Sequence, residues 1–115
     1  MKQLKTLIAA AALASSSNLF AHGMMGMTYP QDGAMMMEPT DRVEVKFEMP
    51  MKLVNLKVVD SAGKPVAIDF DRSKEASTHF KVMMPNLKAD NYEVRWKAMS
   101  DDGHMMKGSF GFMQH

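Results

Sequence analysis

The chain has 115 residues, with 14 Lys+Arg set against 13 Asp+Glu, and no cysteine. A single domain is the expectation at this length. The balanced charge argues against a nucleic-acid face or a polybasic membrane surface, and the fold has to hold by core packing alone.

Residues 1–21 differ in character from the rest of the chain. Lys2 and Lys5 give a positive start, Leu7 to Ala14 is a short apolar run, and Leu19-Phe20-Ala21 ends on a small residue. This is the pattern of a secretory signal peptide cleaved after Ala21, with Ala14 as the competing position. The apolar run is too short for the ~20 residues that span a bilayer. The expected mature domain is 22–115, in the periplasm, and close to neutral.

The mature chain reads as short extended segments. Val43, Val45 and Phe47 alternate with Arg42, Glu44, Lys46 and Glu48, predicting a half-buried strand. Leu53 to Val59 is a second extended run, closed by the turn-forming residues Asp60 to Pro65. Val66 to Phe70 predicts a short strand, and the polar stretch Asp71 to Ser77 a loop. His79 to Met84 predicts another strand, stopped by Pro85. Tyr92, Val94, Trp96 and Ala98 share one phase against Glu93, Arg95 and Lys97; this makes Trp96 a core residue. Ser100 to Gly103 is a turn, and Phe110 and Phe112 share the inward phase of a last strand. No stretch keeps a helical period. About seven short strands predict an all-β, Ig-like Greek-key β-sandwich.

Methionine is the compositional anomaly, with 15 residues, many of them in runs: Met24-Met25, Met35-Met36-Met37, Met83-Met84 and Met105-Met106. Neighbours in a strand face opposite sides, so each run has to expose at least one thioether. Exposed thioethers invite a soft-metal reading.

Two features carry metal chemistry. Cleavage after Ala21 makes His22 the N-terminus, where its amine and ring Nδ1 can close a six-membered chelate. An α-amino group has a pKa of about 7.7–8.0, low enough for a metal to displace its proton. Such nitrogen pairs suit tetragonal Cu(II). The bland alternative is a terminal residue that simply frays in solvent. The second feature is Ser100-Asp101-Asp102-Gly103-His104. Asp102 and His104 are two apart, so they share a face at a strand start, and a carboxylate plus an imidazole could complete a square with His22. A plain polar turn is the bland alternative here. His79 beside Phe80 is more readily structural than metal-binding, and His115 reads as an unconstrained last residue.

Several segments resemble the CopC/PcoC family of periplasmic copper-resistance proteins. The mature start His22-Gly23-Met24-Met25 leads to a turn with Pro30 and Gly33. Leu56 to Val66 is similar to the family's central strand and turn. Asn86 to Ser100 is similar to its leucine-turn-tyrosine-tryptophan strand, and Asp101 to Phe110 to its Asp-Gly-His signature. The resemblance implies a cupredoxin-like barrel that carries copper and is not an enzyme. It also implies Cu(II) ligation by His22 (amine and Nδ1), Asp102 and His104. The family's Glu near the end of the second strand falls one position early here, at Glu48. A one-residue slip reverses the face, so Glu48 is left out of the ligand set. Some members hold Cu(I) in a methionine-rich loop, but the corresponding region, roughly Asp69 to Met84, has only His79, Met83 and Met84. A Cu(I) site from Met24, Met27, Met105 or Met106 near His22 is one expectation; core filler and oxidation-tolerant surface is the other.

The implied partners are copper ions and an inner-membrane copper transporter or another periplasmic copper protein, with the chain as a monomer. Two rival classes remain at this point. One is a copper-dependent oxidative enzyme built on the terminal histidine, which would need an open coordination position and exposed aromatics. The other is a metal-free sandwich serving as an interaction module.

Overall fold

The computed structural model describes residues 25–115; the expected leader at 1–21, His22 and Met24 lie outside the described residues. Six strands follow in order: β1 (Met25–Tyr29), β2 (Ala34–Met36), β3 (Arg42–Val59), β4 (Ser77–Met83), β5 (Asp90–Ser100) and β6 (Met105–Gln114). Among the described residues there is no helix. The expected β-sandwich is the observed architecture, built as one sheet that curls until its ends are joined by a single turn.

The sheet runs β1-β3-β5-β6-β2, with β4 also on β3. The two runs expected as separate strands, Val43 to Glu48 and Leu53 to Val59, are one 18-residue strand. Its first half pairs with β1 and β4, and its second half with β5. Met51 pairs with Ser77 of β4 on one edge and with Ser100 of β5 on the other. Val45 pairs with Thr28 of β1 and Phe80 of β4. β1 and β5 therefore share an edge of β3.

The change of neighbours coincides with a break in the alternation. Val43, Val45 and Phe47 are buried, Glu48, Met49 and Pro50 are exposed, and burial resumes at Met51 and Leu53. Pro50 has no N–H for a ladder, and the β4 register shifts between Lys46 and Met51. A second irregularity between Leu53 and Asn55 moves the inward phase to Leu56 and Val58. An extra residue in one strand bends it and reverses which side chains face in. The sequence therefore reads as two strands where the backbone makes one bent one.

The segment Val66 to Phe70, expected as a strand, forms no ladder. It touches the sheet through the isolated bridges Val59–Pro65 and Asp69–Met83, while Val66, Ile68 and Phe70 pack against the core. Its alternation reports burial without strand pairing. Conversely, β1 and β2 fall in the methionine-rich start, where no strand is expected from the sequence. β2 pairs with β6 in parallel, the one departure from antiparallel pairing among the named strands.

The link from β1 to β2 closes the barrel. The Gly33 N–H donates to Gly111 O at 2.7 Å and the Gly111 N–H donates to Asp32 Oδ1 at 3.0 Å. Beyond β2, buried Gln114 fastens the following loop: its Oε1 accepts from the Thr40 N–H, and its Nε2 donates to Met36 O and Glu38 O. His115, expected as an unconstrained terminus, donates its N–H to Met36 O at 2.9 Å.

Trp96 is buried at the centre, as expected, with Phe47 edge-on at 5.3 Å between ring centroids. Its ring covers Gly108, its partner across the β5–β6 ladder. A Cβ at Gly108 would lie 2.5 Å from Trp96 Cζ2 and 2.7 Å from Cε2. Gly108→Ala is therefore expected to push the ring from its place and destabilise the fold by about 1–3 kcal/mol. At roughly 4–8 °C per kcal/mol in a domain of this size, a thermal melt followed by tryptophan fluorescence measures this directly. An unchanged midpoint would show that the ring has room to retreat.

Candidate metal site

The turn between β5 and β6 is a compact hydrogen-bonded unit. The Ser100 N–H donates to His104 O at 2.9 Å, the Gly103 N–H donates to Ser100 O at 3.0 Å, and Gly103 has φ of +86°. Only glycine takes that backbone conformation without cost, which explains the Asp-Gly step. Asp102 lies inside the unit. Its Oδ1 accepts from the Ser100 hydroxyl and from the His104 N–H, the latter at 3.3 Å, and its Oδ2 lies 2.8 Å from His104 Nδ1.

Those contacts fix the electrostatics. The Ser100 hydroxyl, then the His104 ring and backbone N–H, favour the ionised carboxyl and hold its pKa down to about 2. An ionised carboxylate can only accept, so the ring nitrogen facing it carries the hydrogen. The neutral ring then keeps its lone pair on Nε2. Nε2 points away from the carboxylate that holds Nδ1, so the two side chains can serve one ion only once the ring gives up this hydrogen bond. The pair is open to solvent, with the His104 side chain 83% exposed.

The structure thus brings Asp102 and His104 together as expected, on a turn and not in a ladder. Ser100 was missed as a site residue. It orients Asp102, and the i, i+2 spacing of two short polar side chains at a turn was its only sequence signal. Among the described residues no group of three or more His, Asp or Glu side chains is placed to hold a metal ion. A metal bound at this turn therefore needs donors from elsewhere in the chain.

The methionines divide cleanly. Met105, next to His104, is exposed, whereas Met106 faces inward and packs against the core. Met27 is exposed on β1, beside the irregularity opposite Lys46 and Val45. Some five strand residues, about 17 Å, separate that level from Met51 and its partner Ser100. Met49 is exposed and only two residues from Met51. It stands nearer the turn than Met27 and was not singled out from the sequence. Glu48 is exposed on β3. His79 is occupied otherwise: its Nε2 lies 2.7 Å from Glu44 Oε1. Glu44 is held below the usual carboxylate range, first by Arg42 and then by His79.

The depressed Asp102 pKa has a testable sign. Stabilisation of the turn by the carboxylate is fully present above the ordinary aspartate value of 3.8 and is lost as pH falls through about 2. Carboxyl-detected NMR titration should show Asp102 titrating well below the ordinary aspartate value of 3.8, and Ser100→Ala should move it upward. An ordinary value in the parent protein would mean that the turn hydrogen bonds do not form in solution.

Comparison with known proteins places this geometry. The CopC domain matches residues 25–115. The copper transport protein CutJ of Bacillus subtilis (strain 168) is 29% identical over 97 residues, which are 81% of this chain and 18% of that protein. The chain thus spans less than a fifth of that relative's length. Two solved structures share the fold. CopC from Methylosinus trichosporium OB3b superposes with a TM-score of 0.66 at 20% identity, covering 81% of this chain and 93% of that one. PcoC, a methionine-rich copper resistance protein from Escherichia coli, gives 0.64 at 20% identity, covering 80% and 97%. With a turn of this chemistry at one end of a sandwich of this shape, and a family match running through all the described residues, the chain belongs to the CopC family.

Proposed function

We propose that the protein binds copper in the periplasm and either sequesters it or passes it to an inner-membrane copper transporter or another periplasmic copper protein. Cu(II) is the cargo, held by the amine and Nδ1 of His22 as the mature N-terminus, an oxygen of Asp102 and an imidazole nitrogen of His104. Two nitrogens from one residue, a third from a second imidazole and one carboxylate oxygen form the tetragonal donor set that Cu(II) prefers.

The observation that carries the reading is the shared edge of β3. Met25 pairs with Phe47, and four residues further along the same edge Met51 pairs with Ser100, at the base of the Asp102–His104 turn. Four strand residues are about 13 Å. The described start of β1 therefore lies on the same edge of β3 as the base of the turn.

No catalytic role is proposed. Among the described residues the large apolar side chains at the surface are methionines, with no aromatic among them. Of the expected Cu(I) donors Met24, Met27, Met105 and Met106, Met105 is the one kept here: Met106 packs against the core, Met27 stands some five strand residues along β3 from the turn, and Met24 lies outside the described residues.

Adding one residue ahead of His22 should weaken Cu(II) binding roughly 100-fold or more, because the amine and ring no longer share one residue. The copper EPR spectrum and d–d band should change with it. His104→Ala should remove a nitrogen from the spectrum and leave stability within about 0.5 kcal/mol, as befits an exposed turn residue. Unchanged affinity in the extended protein, or an intact mass showing cleavage after Ala14, would end this reading.

A further inference from the structure

The alternation of the sheet places four soft or borderline metal-binding side chains together at the opposite end of β6. Along β6 the inward residues are Met106, Gly108, Phe110, Phe112 and Gln114, and the outward ones are Met105, Lys107, Ser109, Gly111 and Met113, with His115 next in phase. The outward row is polar or bare in its middle and carries thioethers only near its two ends. On β2, Met36 faces the core while Met35 and Met37 face out, at 59% and 65% exposed.

The parallel register brings these rows side by side. Met35 pairs with Met113 and Met36 with Gln114. One further step sets Met37 beside His115, and the hydrogen bond from the His115 N–H to Met36 O carries the pairing that far. Adjacent strands are ~4.8 Å apart and residues two apart in a strand ~6.6 Å. Met35, Met37, Met113 and His115 thus occupy the corners of a rectangle of about 5 × 7 Å on a solvent-facing surface. A methionine side chain has three rotatable bonds, so the thioethers can converge over the middle of it.

We propose that Met35, Met37, Met113 and His115 form a second metal site, for a soft monovalent cation of the Cu(I) type. Three uncharged thioethers and one imidazole match such an ion and do not suit hard divalent cations. The backbone at the site is pre-organised: buried Gln114 ties the end of β6 to Met36, Glu38 and Thr40. Eight strand residues, about 26 Å, separate Met113 from Met105 and the His104 turn, so the two sites share no ligand. The site rests on the function proposed above only for the choice of copper as the ion.

Ag(I), a soft cation of the same charge, is the probe. In mature protein carrying 13C-labelled methionine methyls, one equivalent of Ag(I) should shift the methyls of Met35, Met37 and Met113 together with the His115 ring signals. It should do so equally in the His104→Ala background. Met35→Leu combined with Met113→Leu keeps volume and exposure and should weaken Ag(I) binding at this face at least tenfold. The Cu(II) EPR signal of the N-terminal site should be unaffected. His115→Ala should give a smaller loss. Shifts confined to Met27 and Met105, or undiminished Ag(I) affinity at this face in the double leucine protein, would overturn the proposal. Loss of Cu(II) binding at His22 would not touch it.

Discussion

One bent strand holds the molecule together. Among the described strands β3 alone touches β1, β4 and β5, and it manages this by changing its company on either side of Pro50. A straight strand of 18 residues would project beyond any core this chain can build. The bend lets Val43, Val45 and Phe47 face the same interior as Leu53, Leu56 and Val58. It also decides where the Asp102–His104 turn falls. Because β1 and β5 lie on one edge, the start of the described chain and the β5–β6 turn are drawn towards the same end of the sandwich.

Much of this was legible in the sequence because period-two alternation survives wherever a strand has one wet face. Tyr92 to Ala98 and Phe110 to Phe112 show it plainly, and the buried Trp96 follows from it. The bend in β3 was not legible, because three exposed residues around a proline look the same whether the chain turns back or merely kinks. β1 and β2 were hidden for a different reason. Their methionines are apolar on both faces, so inward Met36 and outward Met35 cannot be told apart by composition. Val66 to Phe70 erred in the other direction, since a loop lying across a core can alternate as well as a strand does.

The turn was legible in its residues and only partly in its wiring. Asp102, Gly103 and His104 announce a polar turn, with a carboxylate and an imidazole side by side, through their types and spacing. That Ser100 would clamp the carboxylate is visible only once the backbone has closed the loop. The runs of methionine foretold exposed thioethers, and Met35, Met37, Met83 and Met105 are exposed as the alternation requires. What alternation could not supply was the parallel pairing of β2 with β6, which turns two separate runs into one array.

The lock formed by Gln114 has a kinetic corollary. Its partners Met36, Glu38 and Thr40 lie 74 to 78 residues away along the chain. β6, the last of the six strands in chain order, supplies neighbours to both β5 and β2. Topologies dominated by such distant contacts fold slowly, and here the barrel has no means of closing until β6 is available. A nascent chain of this sequence therefore stays open, with its first strands lacking their last neighbour, until that strand has been made.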